Sequence, residues 1–287
     1  MIFLAIIIVL ALLQAWGTGE RMQQDQWFYR WFGQCLQWLP AGALRLLAVV
    51  GGPVLVVLLV DETLRSILFG LPALGFYVLV LLYSLGRGDF SQAIKNYLQS
   101  WSEGNFEQAY NKAMSIGDFK EADSIRDHVS LHQHVRRAIL FDGFERWFAV
   151  VFWFLLLGPA GAIGYRLSYL CGRYEHLPAP ERQLALRFLH YLDWLPVRLL
   201  GFSFALTGNF LQCFQRCRRI LWDNMPSSEF LDDCALASLE GGLAHRGFPV
   251  EQQYALDYGA EEIAAVQSLL SRSVVCWLIV IALLQII

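Results

Sequence analysis

The run FERWFAVVFWFLLLGPAGAIGYRL, Phe144 to Leu167, sets the fold class. From Trp147 to Ile163 it holds no charged residue, and a stretch that apolar is stable only inside a protein core or in lipid. Asp142, Glu145 and Arg146 stand at its entrance, and Tyr165 and Arg166 follow it. Small residues at 158, 160, 161, 162 and 164 would let another helix approach closely, while Pro159 predicts a bend.

Four more apolar stretches repeat the signal: Met1 to Trp16, Leu44 to Val60, Ile67 to Leu85 and Val274 to Ile287. Crossing about 30 Å of hydrocarbon takes about 20 helical residues, so the first and last are short for a span and need their flanking residues or a thin bilayer. The first has no Lys or Arg ahead of its apolar core and reads as a retained anchor rather than a signal peptide. The whole chain agrees. Of its 287 residues 56% are hydrophobic and 16% charged, with a formal net charge of -3, and the mean hydropathy is +0.42. That balance excludes a disordered chain, a typical cytosolic enzyme and a nucleic-acid partner held by phosphate attraction. Trp16, Trp27, Trp31, Trp38 and Trp147 cluster at the ends of apolar stretches, as an aromatic belt would.

A sixth segment, Val197 to Leu211, either crosses the membrane or lies in its interface, because Arg198, Ser203, Thr207, Gly208 and Asn209 dilute it. If it crosses, the 22 basic residues divide 16 to 6. The richer side, holding 17–43, 86–146 and 213–273, is then cytoplasmic and both termini lie outside. The expected organisation is all-α and polytopic, with five or six membrane helices and a cytoplasmic helical cap. Residues 1–85 hold the first three membrane helices (1–16, 44–60 and 67–85), 86–146 form the cytoplasmic segment, and 147–163 form the fourth membrane helix. A connector, 164–273, contains 197–211 and a polar helical region, and 274–287 form the last membrane helix.

Within the cap, helices are expected over Asp89 to Trp101 and Phe106 to Ile116, with Asp118 capping a longer one toward Phe141. Gly104 to Ala109 and Gly117 to Ala122 look like one short unit used twice. A polar helix is expected near Ser228 to Leu239, followed by a loop over Glu240 to Val250.

Most candidate motifs have ordinary explanations. Gly86-Arg87-Gly88-Asp89 lacks the Lys of a phosphate loop and reads as a helix end followed by a cap. His128 and His132 share a helix face without a third ligand at metal-site spacing. The six cysteines show no disulfide framework and no zinc spacing, although Cys213 and Cys217 share a face. What stands out is charge beside apolar helix: Asp142, Glu145, Arg166, Asp193 and Arg198 are the candidate ligand-binding residues. Carboxylates there need pairing or water, so Asp142 and Glu145 either face a polar cleft with Arg166 or Arg198 or sit hydrated at the interface. Arg198, at what reads as an apolar helix start, either suits an anion or snorkels to phosphate head groups. No catalytic and no metal-binding residue is assigned.

At these motifs the chain resembles a known family. FERWFAVVFWFLLLGPAGAIGYRL, LHYLDWLPVRLLGFSFALTG (189–208) and SRSVVCWLIVIALL (271–284) look like the AmpE family of bacterial inner-membrane proteins. The resemblance implies a sensory or accessory role beside AmpD in peptidoglycan recycling and AmpC β-lactamase regulation, without a cofactor. Implied partners are membrane lipids, AmpD or other recycling proteins, and an anionic small ligand, with no nucleic acid. The AmpE family is in turn similar to the CobD/CbiB family, whose members use ATP and magnesium to form an amide in cobalamin synthesis. Of that family's EN-x-x-DG motif only the second acidic position survives, as Glu145, with Asp142 in place of the amide, and its DD-x-x-N-x-x-PAR motif is reduced to Leu189, His190, Asp193, Pro196, Val197 and Arg198. A diverged ATP- and magnesium-dependent synthetase is therefore the alternative function. A muropeptide or corrinoid transporter is a second, weakened by the lack of charge inside the central spans.

Overall fold

The computed structural model describes residues 1–16, 25–66, 71–86, 90–114, 116, 127–174, 177–223, 225–239 and 252–286. The described residues are helical, with no strand among them. The helices are α1 (Ile2–Trp16), α2 (Gln26–Trp38), α3 (Ala43–Arg65), α4 (Leu71–Ser84), α5 (Phe90–Ser102), α6 (Phe106–Ala113), α7 (His128–Gly143), a π-helical turn (Phe144–Phe148), α8 (Ala149–Arg173), α9 (Ala179–Thr207), α10 (Phe210–Ile220), α11 (Ser227–Leu239) and α12 (Gln252–Ile286). The chain divides into two compact units, Met1–Gly88 with Arg146–Trp194, and Asp89–Glu145 with Leu195–Ile287.

In the first unit α3, α4 and α8 pack together. At 23 residues α3 is about 35 Å long, enough to cross a bilayer. Leu44, Leu47, Leu55, Val56, Leu58 and Leu59 project from it exposed, so the helix needs a hydrocarbon solvent. Three stretches are long and apolar enough to cross a membrane: Ala43–Arg65, His128–Arg173 and Tyr258–Leu284. Two more apolar helices, Ile2–Ala15 and Leu71–Ser84, are shorter. The protein is an all-α membrane protein. The expected interval 17–43 contains a helix, α2, whose Phe28, Phe32 and Cys35 are buried at one-turn spacing.

The fourth apolar stretch is not one straight helix. Gly158 has φ +67 and ψ -153, left-handed backbone that favours glycine, and Pro159 lacks the N–H that would continue the ladder. The chain then folds sharply back. A Cβ on Gly161 would collide with the carbonyl oxygen of Trp153, eight residues earlier, which an unbroken helix would hold about 12 Å away. Arms 149–157 and 159–173 thus meet at Gly161.

In the second unit Ile94, Tyr97 and Trp101 of α5 are buried at helical spacing, as are Leu131, Val135 and Ile139 of α7. Asn105 caps α6 by accepting from the Gln108 N–H, and α11 occupies the expected polar-helix interval. Asp127 starts α7, accepting from the Ser130 backbone N–H at 2.7 Å in a capping box. The expected start at Asp118, the second copy of the short unit, Arg87 to Asp89 and the loop 240–250 lie outside the described residues.

Two boundaries differ from expectation. The connector 164–196 is mostly helix, because α8 runs to Arg173 and α9 then runs through Pro196 to Thr207. The interval 197–211 is accordingly the end of α9 and the start of α10, separated at Gly208 and Asn209, where the Asn209 side chain caps α10. The final helix, α12, is 35 residues long and takes in both the polar stretch and the apolar terminus. The cysteines also differ from expectation: Cys217 and Cys234 form a disulfide between α10 and α11, with Cα atoms 5.7 Å apart. No spacing rule marks that pair, since packing of two helices brings it together.

Candidate functional site

All five candidate residues are buried, Asp142, Glu145, Arg166, Asp193 and Arg198 each being at most 8% exposed. In the first unit, α8 presents Tyr165 and Arg166 side by side. Arg166 Nη2 lies 3.7 Å from Asp25 Oδ2 at the start of α2, and Tyr83 of α4 donates to Asp25 Oδ1 at 3.0 Å. The Tyr165 hydroxyl donates to Asp193 Oδ1 at 2.9 Å. A buried carboxylate is costly without such donors, so α2, α4, α8 and α9 are tied by polar contacts inside an apolar unit.

Asp142, on the last turn of α7, and Glu145, on the π-helical turn, belong to the second unit, as does Arg198. Arg198 donates from Nε to the Leu221 carbonyl at 3.3 Å and covers the Phe230 ring at 5.0 Å. It is not at a helix start. Because α9 continues through Pro196, the N–H groups near 198 are spent within the helix, and the dipole argument for an anion there is withdrawn. Arg45, near the start of α3, pairs with Glu181 at 3.1 Å and donates to the Leu39 carbonyl at 2.7 Å.

Sequence reasoning missed the densest charge cluster. In the second unit Arg136 holds Asp232 through Nε at 2.8 Å and Nη2 at 3.0 Å, and Glu262 through Nη1 at 2.9 Å. His132 Nε2 sits 2.8 Å from the other Glu262 oxygen, and the Tyr97 hydroxyl is 3.4 Å from His132 Nδ1. Burial, reinforced by the Glu262 charge, pushes the Tyr97 phenol well above its ordinary pKa, so its proton stays in place. His128 stacks on Phe106, 5.3 Å between centroids. The i, i+4 position of His132 and Arg136 was visible in sequence; their acidic partners, 96 to 130 residues away, were not.

A cavity of about 430 Å³ opens between α3, α8 and α9 in the first unit, lined almost wholly by apolar side chains, with Tyr165 and Ser168 its polar groups. Among the described residues, no group of three His, Cys, Asp or Glu is placed to hold a metal ion. Asp193, standing where the CobD-type motif has an amide, accepts from Tyr165 and, among the described residues, belongs to no group of three possible metal ligands.

The fold, with its buried ion pairs, defines an all-α membrane protein. Over residues 1–286 the sequence matches the family described as "Regulatory signalling modulator protein AmpE", and the chain belongs to that family. It is 25% identical over 216 residues to Protein AmpE of Shigella flexneri, covering 71% of this chain and 73% of that one. It is also 30% identical over 171 residues to the cobalamin biosynthesis protein CobD of Chromobacterium violaceum, and 27% identical over 167 residues to that of Stutzerimonas stutzeri. The aligned regions take in 55% and 54% of this chain and 53% of each CobD. No solved structure matches the chain.

Proposed function

We propose that this protein is a multi-pass inner-membrane modulator that acts with AmpD in peptidoglycan recycling and tunes induction of the AmpC β-lactamase, by binding rather than by catalysis. The observation that carries this reading is the family match across residues 1–286. The Tyr165–Asp193 hydrogen bond and the Arg166–Asp25 ion pair support it, because they tie helices together and so suit architecture or signalling. The ligand expected for such a sensor is anionic and small.

Arg198→Glu puts a carboxylate against the Leu221 carbonyl and the Phe230 ring. The expected outcome is altered β-lactamase induction by a sub-inhibitory β-lactam, with the variant present in the membrane at the normal level. Unchanged induction at that level sinks the reading. The CobD similarity favours one second reading, a diverged synthetase. Growth of a CobD-deficient bacterium on newly made cobalamin, restored by this protein, would establish it in place of the first.

A further inference from the structure

In the second unit α10 carries Arg216, Arg218 and Arg219 and no acidic residue. Its inner stripe, Cys213, Cys217 and Ile220, is buried. On its outside Phe210, Leu211 and Phe214 are exposed, continuing from Leu206 in the last turn of α9, and Trp222 just beyond the helix is 79% exposed. Aromatic and aliphatic side chains beside arginines make up the surface of a helix lying at a membrane–water boundary.

A polar groove of about 370 Å³ runs between α10 and α11, lined by Gln212, Gln215, Arg216 and Arg219 on one side and Asp233 on the other. Arg216 is held by Asp233 at 2.6 Å. Arg219 has no carboxylate partner among the described residues, so the groove carries net positive charge. Gln212 Oε1 is buried there and accepts no hydrogen bond. The groove thus offers a cation for an anion and, about two helical turns earlier on α10, an acceptor for a donor.

We propose that the α10–α11 groove binds the headgroup of an anionic, hydroxyl-bearing phospholipid of the phosphatidylglycerol type, its phosphodiester on Arg219 and a headgroup hydroxyl donating to Gln212. A net-neutral headgroup leaves the positive charge unmatched. A soluble glycerol phosphate shares this chemistry, but only the lipid covers Phe210, Leu211 and Phe214 with its chains. The site is independent of the regulatory reading.

The test uses the full-length protein in nanodiscs of phosphatidylcholine with and without phosphatidylglycerol, bound lipid being counted by native mass spectrometry. Phosphatidylglycerol is expected to be retained preferentially. Arg219→Glu should weaken retention about tenfold, the size of one charge-assisted contact, and Gln212→Leu by about threefold, as suits a neutral hydrogen bond, while Arg219→Lys keeps most of it. Lys95→Glu makes the same charge change on exposed α5 and should leave retention unchanged. Equal retention of both lipids, or equal loss in Lys95→Glu, overturns the site. Displacement of the lipid by millimolar glycerol 3-phosphate overturns its lipid source.

Discussion

Gly161 shows how much one missing Cβ permits. Its replacement by Ala drives a methyl into the Trp153 carbonyl, and backbone cannot rotate away as a side chain does. Gly51 of α3, by contrast, faces open space. Gly51→Ala should raise or preserve the thermal midpoint in detergent, because Ala favours helix over Gly by up to about 1 kcal/mol, whereas Gly161→Ala should lower it clearly. Asp127 offers a second residue-scale test. The Ser130 backbone N–H, helped by its hydroxyl, lowers the Asp127 carboxyl pKa below its ordinary value. A depressed folded pKa adds stability above the unfolded value, near 3.9, that is lost as pH falls through the folded one. Asp127→Ala should cost about 1 kcal/mol at neutral pH, the usual worth of an N-cap. The gap between variant and parent melting curves should close as the pH falls below the unfolded value of about 3.9 and through the depressed folded one. A gap unchanged at low pH would remove the carboxylate from the explanation.

At the scale of elements, α7, α11 and α12 are clamped by Arg136. Arg136→Met leaves Asp232 and Glu262 buried without their shared cation and should destabilise by about 3–5 kcal/mol, as breaking one partner of a buried pair does. Adding Asp232→Leu and Glu262→Leu to Arg136→Met removes the stranded charges and should recover much of that loss. Failure of the triple variant to recover would mean that the cluster is holding something besides itself. Several elements were legible beforehand. The α5–α6 break at Gly104 and Asn105 and the polar helix α11 follow local turn and capping chemistry, which a window of a few residues contains. The run of α9 through Pro196 was not legible, because proline usually marks a helix boundary.

At the scale of the whole molecule, the chain belongs to the AmpE family over residues 1–286 yet resembles CobD proteins over about half its length. The two relationships separate in one experiment. With the protein present in the membrane of a CobD-deficient strain, the regulatory reading expects no cobalamin-dependent growth, and growth would transfer the argument to synthetase chemistry. The candidate site was legible only as a set of residue types. Asp142, Glu145, Arg166, Asp193 and Arg198 were recognisable as charges beside apolar helix, but their neighbours were not: Asp25 answers Arg166 from another helix, and Tyr165 answers Asp193 from 28 residues away.

The sequence by itself determined the solvent and the class of structure. Apolar runs of membrane length, few charges and helical spacing leave an all-α membrane protein as the solution, because lipid tolerates backbone only when its hydrogen bonds close within each segment. Tertiary structure alone decided that α8 folds back at Gly158, that Arg136 answers Asp232 and Glu262, and that Cys217 meets Cys234. Those outcomes turn on which distant groups compete for one buried space, and burial makes the matched arrangement the stable one.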